Sequence, residues 1–188
     1  MSAASRPHGC SLGLLGPVVA SVLACAHPYG VPRERGAVRL TTEVEIAASP
    51  REVWGLLVDF EGYAQWNAWL PELHGEAVEG GRANGRVWLD GELRRARHRV
   101  LRVDAPRALC WRDAGVTTWF VWARRCRFLS EGADGTTVLR EDLVLNGTFV
   151  DAAMRRYGDA LRRGIESEAE SLRRRAEGAR APASEAGR

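Results

Sequence analysis

The chain has 188 residues, of which 45% are hydrophobic and 27% are charged, and 27 basic against 24 acidic residues give a net charge of +3. This composition is typical of one soluble domain that buries a core without needing disulfides or metals. Every basic residue is arginine, and blocks such as Arg94-Arg95 and Arg173–Arg175 are interleaved with acidic residues, which argues against a nucleic-acid-binding stripe.

The first 25 residues differ in character from the rest. An apolar run over residues 12–24 is too short to span a bilayer and ends in small residues, as secretory signals do. The letters VLAC, ending at Cys25, resemble the lipobox of bacterial lipoproteins, which implies cleavage before Cys25 and acylation of its thiol. We predict a signal peptide over residues 1–25, a linker over residues 26–37 and an exported, lipid-anchored protein at the cell envelope. The alternative is a mis-assigned start codon ahead of a cytoplasmic domain.

A strand and two short helices open the predicted domain. From Val38, apolar and polar residues alternate, which predicts a half-buried strand. Ser49, Pro50 and Glu52 form a capping-box pattern, which predicts the start of a helix. A glycine ends that helix, and a second short helix is expected to follow as far as Trp66 or Trp69.

Six further strands and a long helix complete the prediction. The strands are expected over residues 73–79, 86–93, 98–103, 109–113, 119–129 and 137–145. Turns are expected at GGRANG (80–85), RRA (94–96), DAPR (104–107) and EGADGT (131–136). The helix is predicted over residues 149–177, with an apolar face of Val150, Met154, Tyr157, Leu161, Ile165 and Leu172. Residues 178–188 are predicted to be a disordered tail, which leaves a ligand-binding domain over residues 38–177.

One segment, SPREVWGLLVDFEGYAQWNAWLPEL at residues 49–73, carries a family pattern. Together with PRALCW (106–111), RCRF before DGTTV, and the terminal helix, it resembles the START/Bet v 1-like (SRPBCC) superfamily, in its bacterial polyketide cyclase/dehydrase-like branch. The resemblance covers residues 38–175. It implies an α+β helix-grip fold, in which a curved seven-stranded antiparallel sheet surrounds a long C-terminal helix and two short helices follow the first strand. Superfamily members include hydrolytic, cyclising, lipid-transferring and purely binding proteins, so the fold does not select one function.

A sheet that curves around a single helix leaves an internal space wherever the facing side chains do not meet. We predict that eight large residues line this space and bind a ligand: Trp66, Trp69, Trp88, Trp111, Phe128, Met154, Tyr157 and Leu161. The alternative is that these side chains fill the space as core.

Catalytic motifs are missing from the sequence. There is no metal-ligand spacing, nucleophile motif or nucleotide fingerprint, so no metal or cofactor is expected. Three candidates remain for general acid–base catalysis, namely Asp90, His98 and Glu141, each of which would have a perturbed pKa if it faced an apolar cavity. The alternative for each is an exposed or ion-paired side chain.

Two other features leave alternatives open. A hairpin centred near residue 118 would place Cys110 opposite Cys126; we favour two buried free thiols, with a disulfide in an oxidising compartment as the alternative. The segment AGVTTWFVW, residues 114–122, is expected either to expose aromatic residues at a cavity mouth or a membrane, or to form a plain strand.

The sequence thus predicts a protein that binds a hydrophobic small molecule, such as a lipid or a polyketide-like aromatic. It predicts no nucleic-acid partner, and membrane contact only through the N-terminal lipid. Two other functions stay open: a cyclase or dehydratase that uses acid–base residues in the cavity, and a partner-binding module.

Overall fold

A computed structural model describes residues 36–178 of the protein. The seven strands are β1 (Val38–Ile46), β2 (Glu72–Gly75), β3 (Arg82–Leu89), β4 (Glu92–Asp104), β5 (Ala108–Asp113), β6 (Trp122–Glu131) and β7 (Thr137–Asn146). The helices are α1 (Pro50–Val58) and α2 (Val150–Gly178), with short 3-10 helices at Glu61–Gln65, Val116–Trp119 and Ala133–Gly135. Four predictions concern residues outside the described range and stay predictions. They are the signal peptide, the lipidation of Cys25, almost all of the linker and the tail beyond residue 178.

All seven strands form one antiparallel sheet in the order β1-β7-β6-β5-β4-β3-β2. Strands β2 to β7 follow one another as neighbours, and β1 completes the sheet by pairing with β7. The sheet curves around α2, which contacts β1, β3 and β7. The predicted helix-grip fold and its order of elements are therefore confirmed.

The pairing register decides which side chains face α2. Glu141 lies opposite Arg127 and Leu143 opposite Arg125, while Arg125 also lies opposite Trp111 on the next strand. Directly paired residues share a face of the sheet. Because Arg127 bonds to a glutamate of α2, this face is the inner one. The other face, which carries the alternate residues, is called the outer face.

The first helix begins as its sequence predicts. The side chain of Ser49 accepts a hydrogen bond from the amide of Glu52, and the carboxylate of Glu52 accepts one from the amide of Ser49 at 2.7 Å. Val53 and Leu57 form the buried face of α1. Tyr63, in the following 3-10 helix, donates its hydroxyl to the carbonyl of Leu57 at 3.0 Å. The two short helices are thus fixed to each other beside the sheet.

Two turns lie elsewhere than the sequence predicted. The stretch 80–85 is not a turn as a whole, because β3 already starts at Arg82. Gly85 lies inside the β2–β3 pair, where a Cβ would overlap the backbone of Glu72. The absence of a side chain at Gly85 therefore allows the two strands to approach closely, and it is not required for a turn.

The connection between β3 and β4 is Asp90-Gly91 and not the predicted RRA at residues 94–96. Asp90 and Gly91 have φ values of 55° and 78°, which suit a two-residue hairpin turn. The predicted strand over residues 119–129 also starts later, at Trp122, because a 3-10 helix (Val116–Trp119) precedes it.

Cys110 lies directly opposite Cys126 in the β5–β6 pair, so the predicted register is confirmed. Their sulfur atoms are 2.15 Å apart and form a disulfide. The expectation of two free thiols was therefore wrong. Residues that face each other in an antiparallel pair are close enough to be bridged, and both of these side chains lie on the outer face.

Helix α2 packs closely against Trp69 at Gly164, where a Cβ would overlap the indole. We expect Gly164→Ala to lower the free energy of unfolding by about 1–3 kcal/mol, because the added methyl overfills this contact. The matched control is Gly55→Ala in α1, where nothing lies within 4 Å of the new Cβ. That change should leave stability unchanged or raise it by up to about 1 kcal/mol, through helix propensity. Urea denaturation measures both, and equal stability of the two variants would contradict the packing.

Candidate functional site

A cavity of about 440 Å³ lies between the inner face of the sheet and α2. Its apolar wall includes Trp69, Val87, Leu89, Trp111, Leu143 and Leu161. His98, Asp113 and Arg125 add polar groups to the wall, and Val116 and Thr117 lie at its loop side. The volume falls within the range of small-molecule sites in proteins.

Three of the eight predicted ligand-binding residues line this cavity. Trp69 comes from the segment after the 3-10 helix Glu61–Gln65, Trp111 from β5 and Leu161 from α2. The sequence-based expectation that an open space remains between the sheet and the helix therefore agrees with the structure at these positions.

Trp88 and Phe128 were wrongly placed, because they lie on the outer face. Val87 and Leu89 face the cavity, so the alternation of a strand turns Trp88 away, and its side chain is 44% exposed. Phe128 likewise follows Arg127, which faces α2.

The other three predicted residues lie near the cavity but outside its wall. Trp66 packs against Tyr63 with ring centroids 4.6 Å apart. Met154 belongs to the apolar cluster at the start of α2. The hydroxyl of Tyr157 accepts a hydrogen bond from Arg94 at 3.3 Å. These side chains support the walls and do not line them.

Four buried charges lie beside the cavity: Arg125, Arg127, Glu141 and Glu168, here called the charge cluster. None of them is more than 5% exposed. Arg125 Nη2 lies 2.8 Å from Glu141 Oε2 and 2.8 Å from Glu168 Oε1, and Arg127 Nη2 lies 2.6 Å from Glu168 Oε1. Because Glu168 belongs to α2 and the other three residues to β6 and β7, the cluster joins the helix to the sheet.

Asn67 extends the charge cluster to the segment that carries Trp69. Its amide nitrogen donates to Glu168 Oε2 at 2.7 Å. Its amide oxygen accepts hydrogen bonds from the backbone of Trp69 at 3.1 Å and of Leu70 at 2.8 Å. This buried amide therefore fixes the position of one cavity wall relative to α2.

Both arginines of the cluster lie over tryptophan rings of the cavity wall. The guanidinium of Arg125 is 4.5 Å from the ring centre of Trp69, and that of Arg127 is 3.9 Å from the ring centre of Trp111. Such cation–π contacts are stronger in buried places than on the surface. The two indoles thus bind the arginines with one face and border the cavity.

The two buried glutamates have pKa values shifted in opposite directions. Burial raises the pKa of Glu141 and outweighs the attraction of Arg125. Burial also acts on Glu168, but the positive charges of Arg125 and Arg127 outweigh it and lower its pKa. Within residues 36–178, Glu141 Oε1 has no hydrogen-bond partner, whereas both oxygens of Glu168 are bonded. Glu168 is therefore the firmly held carboxylate of the cluster.

Two of the three candidate acid–base residues do not line the cavity. Asp90 lies in the β3–β4 turn, where it forms an ion pair with Arg156. Glu141 faces inward as its alternation predicts, but Arg125 engages its carboxylate. The ion-paired alternative therefore describes both residues.

His98 is the candidate that lines the cavity. Its ring stacks on Trp111 with centroids 5.4 Å apart and an interplanar angle of 22°. Its Nδ1 lies 3.2 Å from Asp113 Oδ1, close enough for an ion pair, although the angle is not that of a hydrogen bond. Asp113 is itself held by the amide of Ala123 at 2.9 Å. The arrangement presents an imidazole with a carboxylate beside it.

Four exposed apolar side chains lie in or beside the segment that contributes Val116 to the cavity. Val116, Trp119, Phe120 and Phe149, here called the aromatic lip, are 83%, 85%, 57% and 54% exposed. Val116 also belongs to the cavity wall. The structure thus agrees with the exposed-lip alternative for residues 114–122.

Several residues of the site were missed at the sequence level, although signals existed. Glu168 lies three residues after Ile165 and four before Leu172, inside the apolar stripe of the predicted helix. A charge there must have a buried partner. Arg125 and Arg127 flank a buried cysteine in a strand, which is the complementary signal. Nothing in the sequence indicates the role of Asn67.

Neither a metal site nor a membrane span is evident in the part of the chain that the structure describes. Over residues 36–178, no three His, Cys, Asp or Glu side chains are grouped as a metal site. No helix in the same range is long and apolar enough to cross a membrane.

Comparison with known proteins supplies the family. The sequence model described as polyketide cyclase / dehydrase and lipid transport matches residues 37–177, from the start of β1 to the end of α2. The chain belongs to this family. Among curated proteins, no sequence matches the chain.

Several solved structures share the fold of this chain. The protein TTHA0849 from Thermus thermophilus is 18% identical with a TM-score of 0.64, over 77% of this chain and 100% of that one. A START superfamily protein from Mycobacterium smegmatis is 18% identical with a TM-score of 0.60, over 75% and 98%. A norcoclaurine synthase from Thalictrum, bound to a transition-state analogue, is 12% identical with a TM-score of 0.58, over 76% and 96%. At these identities the similarity shows the fold alone.

The opposite pKa shifts of the charge cluster predict how single substitutions act. Glu168→Gln should lower the free energy of unfolding at neutral pH by about 3–5 kcal/mol, because it leaves buried arginine charge uncompensated. Since the pKa of Glu168 is lowered on folding, this contribution is present above about pH 4.3 and disappears as the pH falls further. The difference in the free energy of unfolding between wild type and Glu168→Gln should therefore become smaller at acidic pH.

Two matched variants test this assignment by chemical denaturation across pH. Glu141→Gln should destabilise less than Glu168→Gln, because burial already disfavours the Glu141 charge. Glu170→Gln, in the exposed pair of Glu170 with Arg173 on the same helix, should change stability little, because water screens that pair. A larger loss for Glu141→Gln than for Glu168→Gln would contradict the assignment.

Proposed function

We propose that the protein binds, and carries, one amphipathic small molecule in its cavity, such as a lipid or a polyketide-like aromatic. The observation that carries this proposal is the cavity of about 440 Å³ with a largely apolar wall and one buried cationic group. The family supports it, since its description joins polyketide cyclisation or dehydration with lipid transport.

The apolar body of the ligand would contact aromatic and aliphatic side chains from three sides. Trp69 and Trp111 provide flat walls, held from behind by the arginines that stack on them. Leu161 of α2 and Leu143 of β7 provide the remaining apolar surface. Removal of this surface from water is the driving force for binding.

The polar end of the ligand would face Arg125. Nε and Nη2 of Arg125 are engaged by Glu141 and Glu168. Among the contacts of the described residues, none engages Nη1, and the side chain belongs to the cavity wall. A carboxylate, phenolate or keto oxygen would accept a hydrogen bond from this nitrogen. His98 lines the same cavity and offers a second polar contact.

The cavity is tested by filling it. Leu161→Trp should abolish binding of anilinonaphthalene sulfonate and of long-chain fatty acids, because the indole occupies the ligand volume. Leu161→Met, which keeps the volume and the apolar character, should bind both probes with affinity close to wild type. Fluorescence titration measures this, and mass spectrometry of solvent extracts identifies any compound that co-purifies. Equal probe binding by both variants would contradict ligand binding in this cavity.

The second candidate is a cyclase or dehydratase, and the observation that favours it is the pair of His98 and Asp113 at the cavity wall. Asp113 Oδ1 lies 3.2 Å from Nδ1 of His98, and an imidazole at the cavity wall would remove or return a proton during an aldol-type cyclisation. The partner-binding module gains from the exposed aromatic lip but is less favoured, because the cavity is not filled by side chains.

Enzyme and binder are separated by His98→Gln. If the protein catalyses a reaction, the turnover of a linear poly-β-ketone thioester should fall by about a hundredfold or more. Probe affinity should change far less, and the pH–rate profile should lose its histidine limb. His74→Gln removes a histidine that is 64% exposed and paired with Glu61, and serves as the control. The absence of any turnover in wild type would favour the binder.

A further inference from the structure

The outer face of the sheet carries four arginines in direct cross-strand register. Arg82 on β3 lies opposite Arg99 on β4, which lies opposite Arg112 on β5, which lies opposite Arg124 on β6. These four residues are called the arginine row. Directly opposed side chains start about 5 Å apart at Cβ, and like charges in such pairs destabilise a sheet.

Two other arginines of the outer face share an acidic partner. Arg39 and Arg140 both bind the buried carboxylate of Asp142, at 2.7 and 2.9 Å. Within the described range, by contrast, no carboxylate forms an ion pair with Arg82, Arg99 or Arg112. Among the described residues, Arg99 Nη1 donates a hydrogen bond to the carbonyl of Gly80 at 2.5 Å, but no ion pair offsets the repulsion within the row at these three residues.

A groove of about 560 Å³ opens along this row. Arg99, Arg112 and Arg124 form one side, and Gly115, Thr118 and Trp122 of the lip segment form another. Asp113 also contributes to the groove wall, where its carboxylate accepts a hydrogen bond from the amide of Ala123. The row therefore adjoins the aromatic lip on the same part of the surface.

Backbone and side-chain hydrogen bonds hold the aromatic lip in place. The hydroxyl of Thr118 donates to the carbonyl of Gly115 at 2.7 Å, and the amide of Phe149 donates to the carbonyl of Phe120 at 3.3 Å. A Cβ at Gly147 would overlap the backbone at Phe120, so glycine permits this close approach. The exposed rings thus belong to an ordered protrusion.

We propose that the arginine row and the aromatic lip together dock on the surface of an anionic lipid bilayer. Guanidinium groups bind phosphate oxygens in pairs of hydrogen bonds, and headgroup phosphates would relieve the repulsion within the row. Aromatic rings such as Trp119 and Phe120 settle at the headgroup level of membranes. An acidic protein would satisfy the arginines but would leave the protruding lip in water, so the bilayer matches both surfaces.

Docking through the aromatic lip would bring the loop side of the cavity to the membrane. Val116 belongs both to the lip and to the cavity wall, so an apolar molecule could pass between bilayer and cavity without crossing water. The docking itself does not depend on the identity of the ligand, and it holds whether or not the N-terminal segment is acylated.

The experiment uses the full chain with Cys25→Ser, so that acylation does not contribute to binding. Co-sedimentation is compared for vesicles of phosphatidylcholine and for mixed vesicles of phosphatidylcholine and phosphatidylglycerol. The chain should prefer the mixed vesicles, and Arg99→Gln with Arg112→Gln should weaken binding about fivefold for each charge removed. The control, Arg155→Gln with Arg162→Gln, removes the same charge from exposed positions of α2 and should leave binding near wild type. Melting temperatures confirm that each variant is folded.

A second measurement tests whether the aromatic lip enters the bilayer. Mixed vesicles with brominated acyl chains should quench part of the tryptophan fluorescence of the wild type, and Trp119→Phe should remove that part. No preference for the anionic vesicles, an equal loss in both double variants, or unquenched Trp119 would each overturn the proposal. Binding of inorganic phosphate that blocks the row without any vesicle binding would overturn it as well.

Discussion

The bond between Glu168 and the arginines of β6 is the interaction on which the rest of the structure depends. A carboxylate inside a protein is tolerated only with partners at close range, so α2 has to sit at the depth and rotation that bring Glu168 to Arg125 and Arg127. Asn67 binds the same carboxylate and thereby sets the segment that leads into Trp69. One buried charge thus positions the helix, a loop and part of the cavity wall together, a coupling that apolar packing alone would specify less sharply.

The same charge cluster explains why the wall of the cavity between the sheet and α2 has a polar part. Near Arg125 the wall is polar and rigid, since the guanidinium is bonded to two carboxylates and stacked on Trp69. The wall also includes the aliphatic side chains of Val87, Leu143 and Leu161, and Leu143 lies directly opposite Arg125 on the neighbouring strand. Polar and apolar groups are therefore next to each other in this wall. The family and the structural neighbours share the fold, but fold alone does not select between a carrier and an enzyme.

Alternation and capping signals were sufficient to predict the order of elements, because each depends on neighbouring residues only. Alternation also agrees with the shared inner face of Glu141 and Leu143 and of His98 and Val100. Trp88 and Phe128 were misassigned because their size was given more weight than their parity in the strand. Contacts across strands, and contacts from α2 to the sheet, depend on the strand register and on the rotation of the helix. The pattern of a single sequence does not contain this information. The disulfide and the bonds of Glu168 are contacts of this kind. A glutamate within the apolar stripe of a helix nevertheless indicates a buried partner.

The arginine row has a consequence that follows from its residue type. A row of lysines could release protons as neighbouring charges raise the free energy of the charged form, whereas guanidinium groups stay protonated at any pH at which a protein is folded. The mutual repulsion of Arg82, Arg99 and Arg112 therefore cannot be titrated away, whereas dissolved ions or bound anions reduce it. Ionic strength, and not acidity, is the variable to which these three charges respond.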